Sequence, residues 1–174
     1  MPDSAYGWEK LFSERLYATF ARKHGIQVRI ARLHNIYGPR GSYVGGREKA
    51  PAALCRKVYL SRGEIEVWGD GYQTRSFLYI DQCIEGIHRL MASNYDQPLN
   101  IGSDRSITIN DLAQMIAAIA FKSITIRNIP GPLGVRGRNS DNTLIQQVLG
   151  WAPDNNLEYG LAQTYQWVAQ QYHQ

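Results

Sequence analysis

Short β-branched runs alternate with helical stretches along the whole chain, and this alternation constrains the fold more than any other feature of the sequence. A strand, a helix and a further strand in succession pack best as a parallel sheet with helices laid on its faces. Leu11, Phe12, Leu16, Tyr17 and Phe20 recur at helical spacing and predict a helix over 5–24, ended by His24-Gly25. QVRIARL predicts a strand at about 27–33, and a loop from His34 leads to a helix over roughly 50–60 with Pro51 in its first turn. EIEVWG and RSFLYI read as short strands on either side of the turn-rich GDGYQT. Asp81 is the expected N-cap of the helix DQCIEGIHRLMA. PLNIG reads as a strand, and SITIND, with Asn110 as candidate cap, leads into the helix DLAQMIAAIA. KSITIRNI is a further strand, GPLGVRGRNSDN a long polar loop, and two helices cover about 141–149 and 157–172.

A chain of 174 residues can bury one substantial core. Its composition, 44% hydrophobic and 20% charged, is that of a globular protein rather than a disordered one. No apolar run approaches a membrane span, and MPDSAYGWEK lacks the basic-then-apolar pattern of a secretory signal, so no membrane partner is expected. Cys55 and Cys83 fall in different predicted helices. They suit a reduced, cytoplasmic compartment and suggest neither a disulfide framework nor a zinc site. The net charge of +4 comes from scattered residues, which does not indicate nucleic acid; a small anionic ligand needs only a few of them.

Three groups of residues carry chemistry. Tyr6 and Lys10, four apart, project from one face of the first helix. A neighbouring ammonium stabilises a phenolate and makes the phenol a usable acid or base; such a pair is equally a common surface pair. Arg47, Glu48 and Lys49 follow the Gly45-Gly46 hinge, and read either as a solvated helix start or as a mobile charged loop that closes on a ligand. Arg75 in QTRSF and Arg138 in VRGRN are forks suited to phosphate oxygens, or else surface arginines satisfying carbonyls. His24, His34, His88 and His173 show no metal-ligand spacing, and no metal is expected. Trp151, Tyr159, Tyr165 and Trp167 read as core of the terminal helices.

The Y-x-x-x-K pair, HNIYGP (34–39), WGDGYQTRSFLYIDQC (68–83) and NIGS (100–103), in that order, resemble the C-terminal half of the extended short-chain dehydrogenase/reductase family of NAD-dependent sugar-nucleotide enzymes. GGREKAPAALCRK and IPGPLGVRGRNSDNTLIQQVLGWAP (129–153) look most like the branch that epimerises GDP-sugars at carbons 3 and 5. The resemblance covers nearly the whole chain. It implies an α/β fold, the C-terminal part of a Rossmann-type parallel sheet with a smaller α/β substrate-binding domain, the two interleaved over 1–174. It implies NAD as cofactor, faced by Tyr6 and Lys10, and a GDP-sugar as substrate. It assigns Tyr6, Lys10 and Lys49 to catalysis. Asn35, Lys49, Lys57, Gln73, Arg75 and Arg138 are assigned to substrate binding, with Arg136 as a further helper. The acid/base cysteine of that branch would precede Tyr6; Cys55 and Cys83 do not match it. No G-x-x-G-x-x-G turn for the NAD pyrophosphate is read after any strand, so the N-terminal cofactor half is expected to be absent. A homodimer, or association with such a half, is expected to cover the first helix. Two alternatives stand beside this: another sugar-nucleotide epimerase, dehydratase or decarboxylase of the family, and a non-catalytic nucleotide-sugar-binding or assembly fragment.

Overall fold

The computed structural model describes residues 4–131 and 136–173. Its first element, α1 (Ala5–His24), starts where the Ser4 hydroxyl accepts the Gly7 N–H and stops at Gly25, whose φ of +66° is left-handed. Strands β1 (Ala31–Leu33) and β2 (Ile36–Tyr37) follow, and then α2 (Ala50–Leu60), with a proline in its first turn. Next come β3 (Glu64–Trp68), β4 (Thr74–Ser76), β5 (Leu78–Tyr79) and α3 (Ile80–Ala92). The chain continues through β6 (Leu99–Ile101), β7 (Ser106–Thr108), α4 (Ile109–Ile119) and β8 (Thr125–Ile129). It ends with β9 (Gly137–Arg138), α5 (Thr143–Leu149) and α6 (Leu157–Gln170).

The expected α/β class holds. β1 runs parallel to β6, β2 to β5 and β3 to β8, while β4 lies between antiparallel β7 and parallel β9. Two hydrophobic clusters fill the interior. One gathers Leu54, Cys55, Val58, Ile65, Val67, Leu112, Ile116, Leu161 and Val168 from α2, β3, α4 and α6. The other gathers Leu78, Cys83, Leu90, Leu99, Ile101 and Ile145 between α3, β6 and α5. The aromatic trio Tyr37, Phe77 and Tyr79 packs together at the edge of the first cluster. Among the described residues no helix is long and apolar enough to cross a membrane.

Several local expectations need correction. The 27–33 strand shortens to β1, because its partner β6 offers only three residues. RSFLYI is two strands, not one: β4 pairs with β7 and β9, whereas β5 crosses to β2, and the chain changes sheet at the buried Phe77. Tyr79, not Asp81, precedes α3; Asp81 lies in its first turn, where a negative charge favours the positive helix end. Thr108, not Asn110, caps α4, its hydroxyl accepting the Asp111 N–H at 3.0 Å. Asn110 instead donates to the Asp70 carbonyl at 3.0 Å. The polar loop after β8 contains the short strand β9. Trp151, Tyr165 and Trp167 pack against the clusters as expected, but Tyr159 is exposed and stands edge-on to Tyr79.

Gly160 on α6 shows how tightly the first cluster is packed. A Cβ there would fall 2.3 Å from the Tyr37 hydroxyl oxygen, which donates to the Leu157 carbonyl. Alanine is the better helix former by about 1 kcal/mol, while overpacking a full core costs about 1–3 kcal/mol. The buried ring of Tyr37 has little room to retreat, so packing wins. Gly160→Ala is expected to lower the unfolding free energy in urea by about 1–2 kcal/mol; an unchanged or raised midpoint would show that the ring moves freely.

Candidate substrate site

A cavity of about 480 Å³ opens between α2, β3, β4 and the β1–β2 corner. Its size suits a drug-sized or nucleotide ligand. Five residues expected to bind substrate line it: Asn35, Lys49, Lys57, Gln73 and Arg75.

Each is placed by a distinct local device. Asn35 sits between β1 and β2 with φ of +27°, an angle that asparagine tolerates better than most residues. Its amide donates to the Ser76 carbonyl at 3.1 Å, and its own carbonyl accepts from Leu78 N–H. Gln73, buried, donates to the Trp68 carbonyl at 3.3 Å, and its side-chain oxygen has no partner among the described residues. An unmet buried acceptor costs about 1–3 kcal/mol, so this oxygen is poised for a donor. Lys57 points across from α2 and donates to the Glu66 carbonyl at 2.6 Å. Lys49 stands exposed at the N-cap of α2, with its carbonyl accepting the Ala53 N–H.

Arg138 joins the site through the sheet. In the parallel pairing of β4 and β9, Arg75 lies opposite Arg138, and like charges so placed destabilise a sheet. Burial, then the Arg138 charge, lowers the pKa of Arg75. Arg75 also donates to the Thr74 carbonyl at 2.7 Å. Arg136, beside them, pairs with Asp70 on the glycine turn at 3.1 Å and is not among the residues lining the cavity.

The loop before α2 differs from a free lid. Gly45 and Gly46 have φ of +92° and +80°, which only glycine adopts without strain. Glu48, however, turns inward, its side chain only 9% exposed, and pairs with Arg56 at 2.8 Å. Its own and Gly46's backbone N–H groups, with Arg56, hold its carboxyl below the usual carboxylate range against the opposing effect of burial. Glu48 and Arg56 both line the cavity; Glu48 was noted in the charged triplet after the hinge, but Arg56 was not singled out by sequence, because it reads only as the polar face of a helix.

Trp68 was also missed. It lines the cavity with its ring largely exposed, and a Cβ at Gly131 would collide with that ring. Its signal is a large aromatic in the outward phase of β3, whose inward residues are Ile65 and Val67. Tyr6 and Lys10 lie elsewhere, in an open cavity of about 980 Å³ between α1 and residues 29–33. The Lys10 ammonium sits 5.1 Å from the centre of the Tyr6 ring and 3.4 Å from Glu9. The fork of Arg32 on Glu14, at 2.8 and 2.6 Å, ties α1 to β1 there.

These two residues are the chain's candidates for a nicotinamide and its ribose. The expectation that no G-x-x-G-x-x-G string follows a strand is corrected: Gly131, Gly134 and Gly137 carry that spacing after β8. The string leads into β9 and not into a helix, so it lacks the helix N-terminus that makes such a turn a pyrophosphate site. Among the described residues no acidic, histidine or cysteine cluster could hold a metal. Cys55 and Cys83 are buried, and burial pushes the Cys55 thiol up to about 12.

The chain belongs to the NAD dependent epimerase/dehydratase family, which it matches over residues 1–102. It is 53% identical over 170 residues to a GDP-mannose 3,5-epimerase of Arabidopsis thaliana, covering 98% of this chain and 45% of that protein. It is 36% identical over 160 residues to UDP-glucuronic acid decarboxylase 5 of the same plant, covering 91% and 46%. The chain thus spans about half the length of the curated relatives it matches. A UDP-glucose 4-epimerase of Thermotoga maritima, solved with UDP-glucose, superposes with a TM-score of 0.89 at 29% identity, over 99% of this chain and 55% of that one.

His34 reports on the arginine pair. Burial lowers its pKa first, a hydrogen bond with Asn100 opposes this, and the Arg138 charge lowers it further. With its folded pKa depressed, its stabilising contribution is present above the ordinary histidine value and lost as pH falls through the folded one. Arg138→Gln is expected to move the His34 ring-proton titration in NMR to higher pH. An unmoved midpoint would place the Arg138 charge away from the β1 end.

Proposed function

We propose that this chain forms the sugar-nucleotide-binding part, with the catalytic tyrosine and lysines, of a GDP-mannose 3,5-epimerase. The observation that carries the reading is the gathering of Asn35, Lys49, Lys57, Gln73 and Arg75 around one cavity, with Arg138 in register beside Arg75. Guanidiniums on neighbouring strands can each offer a fork to a diphosphate through charge-assisted hydrogen bonds. The identity to GDP-mannose 3,5-epimerase over nearly the whole chain supports the choice of a GDP-sugar. The exposed Trp68 ring offers a stacking surface for the base, and the unmet oxygen of Gln73 an acceptor for a ligand donor.

The remaining residues divide the chemistry. NAD, when bound, supplies a hydride acceptor and donor that takes a sugar hydroxyl carbon to a ketone and back. Tyr6 takes and returns the hydroxyl proton, with Lys10 beside it stabilising the phenolate and holding the ribose. A ketone acidifies the hydrogens on adjacent carbons. Lys49, exposed beside the substrate cavity, is one member of the acid/base pair that moves protons at carbons 3 and 5, a second group serving the opposite face of the planar enol. Neither cysteine in this chain serves as the second acid/base, since both are buried and Cys55 stays protonated at neutral pH.

A second observation bears on the isolated chain. No residue of α1 is buried, and Tyr6, Trp8, Phe12, Leu16, Tyr17 and Phe20 are all exposed. Such a stripe favours a partner surface, a second copy or a cofactor-binding half, without which the chain binds the nucleotide sugar but does not turn it over.

Calorimetric titration of the purified chain tests the reading. Saturable binding of GDP-mannose is expected, with UDP-glucose far weaker. Arg75→Gln is expected to weaken GDP-mannose roughly ten- to hundredfold, as for loss of hydrogen bonds to a charged group. Preference for UDP-glucose would move the chain to a UDP-sugar enzyme of the family, and full affinity in the variant would dissociate the diphosphate from the arginine pair.

A further inference from the structure

We propose that Arg56 is a positioning residue, a strut that pins both ends of the glycine loop and thereby sets Lys49 over the sugar. This rests on the substrate reading above, but the geometry stands apart from it. The Arg56 guanidinium makes two bonds to the loop from α2. Its Nε donates to the Tyr43 carbonyl at 2.8 Å, on the near side of Gly45-Gly46, and its terminal nitrogen donates to the Glu48 carboxylate at 2.8 Å, on the far side. Both groups are largely shielded from water, with side chains 26% and 9% exposed, so the ion pair is screened far less than a surface one.

Tyr43 is fixed a second time. Its ring stands edge-on to Trp167 at 5.3 Å and to Tyr172 at 6.1 Å, which ties the loop to the end of α6. Only the residues around the two left-handed glycines lie between the anchors, and Val44 and Arg47 are exposed there. Lys49 follows Glu48 directly, so locking the Glu48 side chain inward fixes the direction in which Lys49 leaves the backbone. A flexible ammonium gains catalytic value only from such placement. Arg56 acts on the sugar's acid/base group through the loop, with two of its guanidinium donors engaged by Tyr43 and Glu48.

Two readouts on the intact chain decide this. The first needs no ligand: the rate of tryptic cleavage after Arg47, compared with global unfolding followed by circular dichroism. Arg56→Gln is expected to raise that cleavage rate by about tenfold or more while the chain stays folded, because loss of a charged two-point clamp raises the open population by that order. Glu48→Gln, which keeps the Tyr43 bond, is expected to show a smaller rise and serves if the first variant fails to fold. The second readout is affinity for GDP-mannose against GDP alone. Arg56→Gln is expected to weaken GDP-mannose about fivefold and leave GDP within twofold, since only the sugar end feels the loop. Wild-type cleavage rates in a folded variant would overturn the strut. Equal weakening of GDP and GDP-mannose would overturn its action through the sugar end. If the wild type binds neither ligand, the substrate reading falls while the cleavage rates still decide the clamp.

Discussion

Two like charges held side by side organise this molecule. Arg75 and Arg138 face each other because β9 adds to β4 in parallel register, and the fold commits several groups to keeping them there. Asp70 accepts from Arg136 next to Arg138 and from the Tyr72 N–H, while its carbonyl accepts from Asn110 on α4. Gly71 makes room for that last contact: with φ of +72°, it stands where any Cβ would fall on the Asn110 amide. The glycine turn between β3 and β4 is therefore a bracket joining α4 to β9. That bracket fixes the register in which β9 sets Arg138 beside Arg75.

The same economy applies to the loop before α2. A glycine pair suggests freedom, yet Tyr43 and Glu48 on either side are tied to α6 and α2. What remains mobile is short. The loop is better described as a sprung segment between fixed ends than as a lid, and this makes Lys49 a group whose position is set by the core. Lys57 obeys a related logic from the next turns of α2, spending one donor on the Glu66 carbonyl of β3 while its charge stays at the cavity.

How much of this was legible in the sequence follows from what each signal depends on. α1 was readable to the residue, since Ser4 and Gly25 cap it by local chemistry. α2 was readable through Pro51 and its apolar spacing. Strand limits were not: β1 ends where β6 has nothing left to pair with, and RSFLYI breaks at Phe77 because the two halves serve different sheets, a decision taken by distant partners. Asp81 and Asn110 were plausible caps by composition, but Tyr79 holds the place before α3, and at α4 Thr108 caps while Asn110 has a tertiary partner. At the site, Asn35, Lys49, Lys57, Gln73 and Arg75 were found by motif and the fold does gather them. The facing of Arg75 and Arg138 was invisible, because register between strands far apart in sequence is not a local property. Arg56 and Trp68 were overlooked for the same reason: one hides in a helix pattern, the other at a strand's end.

The tyrosine and lysine of α1 complete the argument by their distance from all this. They line a different cavity, on a helix with no buried residue, attached to the sheet chiefly by the exposed fork of Arg32 on Glu14. Raising the pKa of Arg32, that hydrogen bond holds the helix in register but buries little. A 20-residue helix that keeps Trp8, Phe12 and Phe20 in water has not reached its lowest free energy by itself. The substrate cavity is built from packed cores and pinned loops and needs nothing further to exist. The cavity beside Tyr6 and Lys10 is walled by a helix whose exposed aromatics favour a covering surface. On the proposed reading, binding of the nucleotide sugar and its turnover are separable, the first resting on the packed cavity that Arg75 lines and the second on a covering surface for α1.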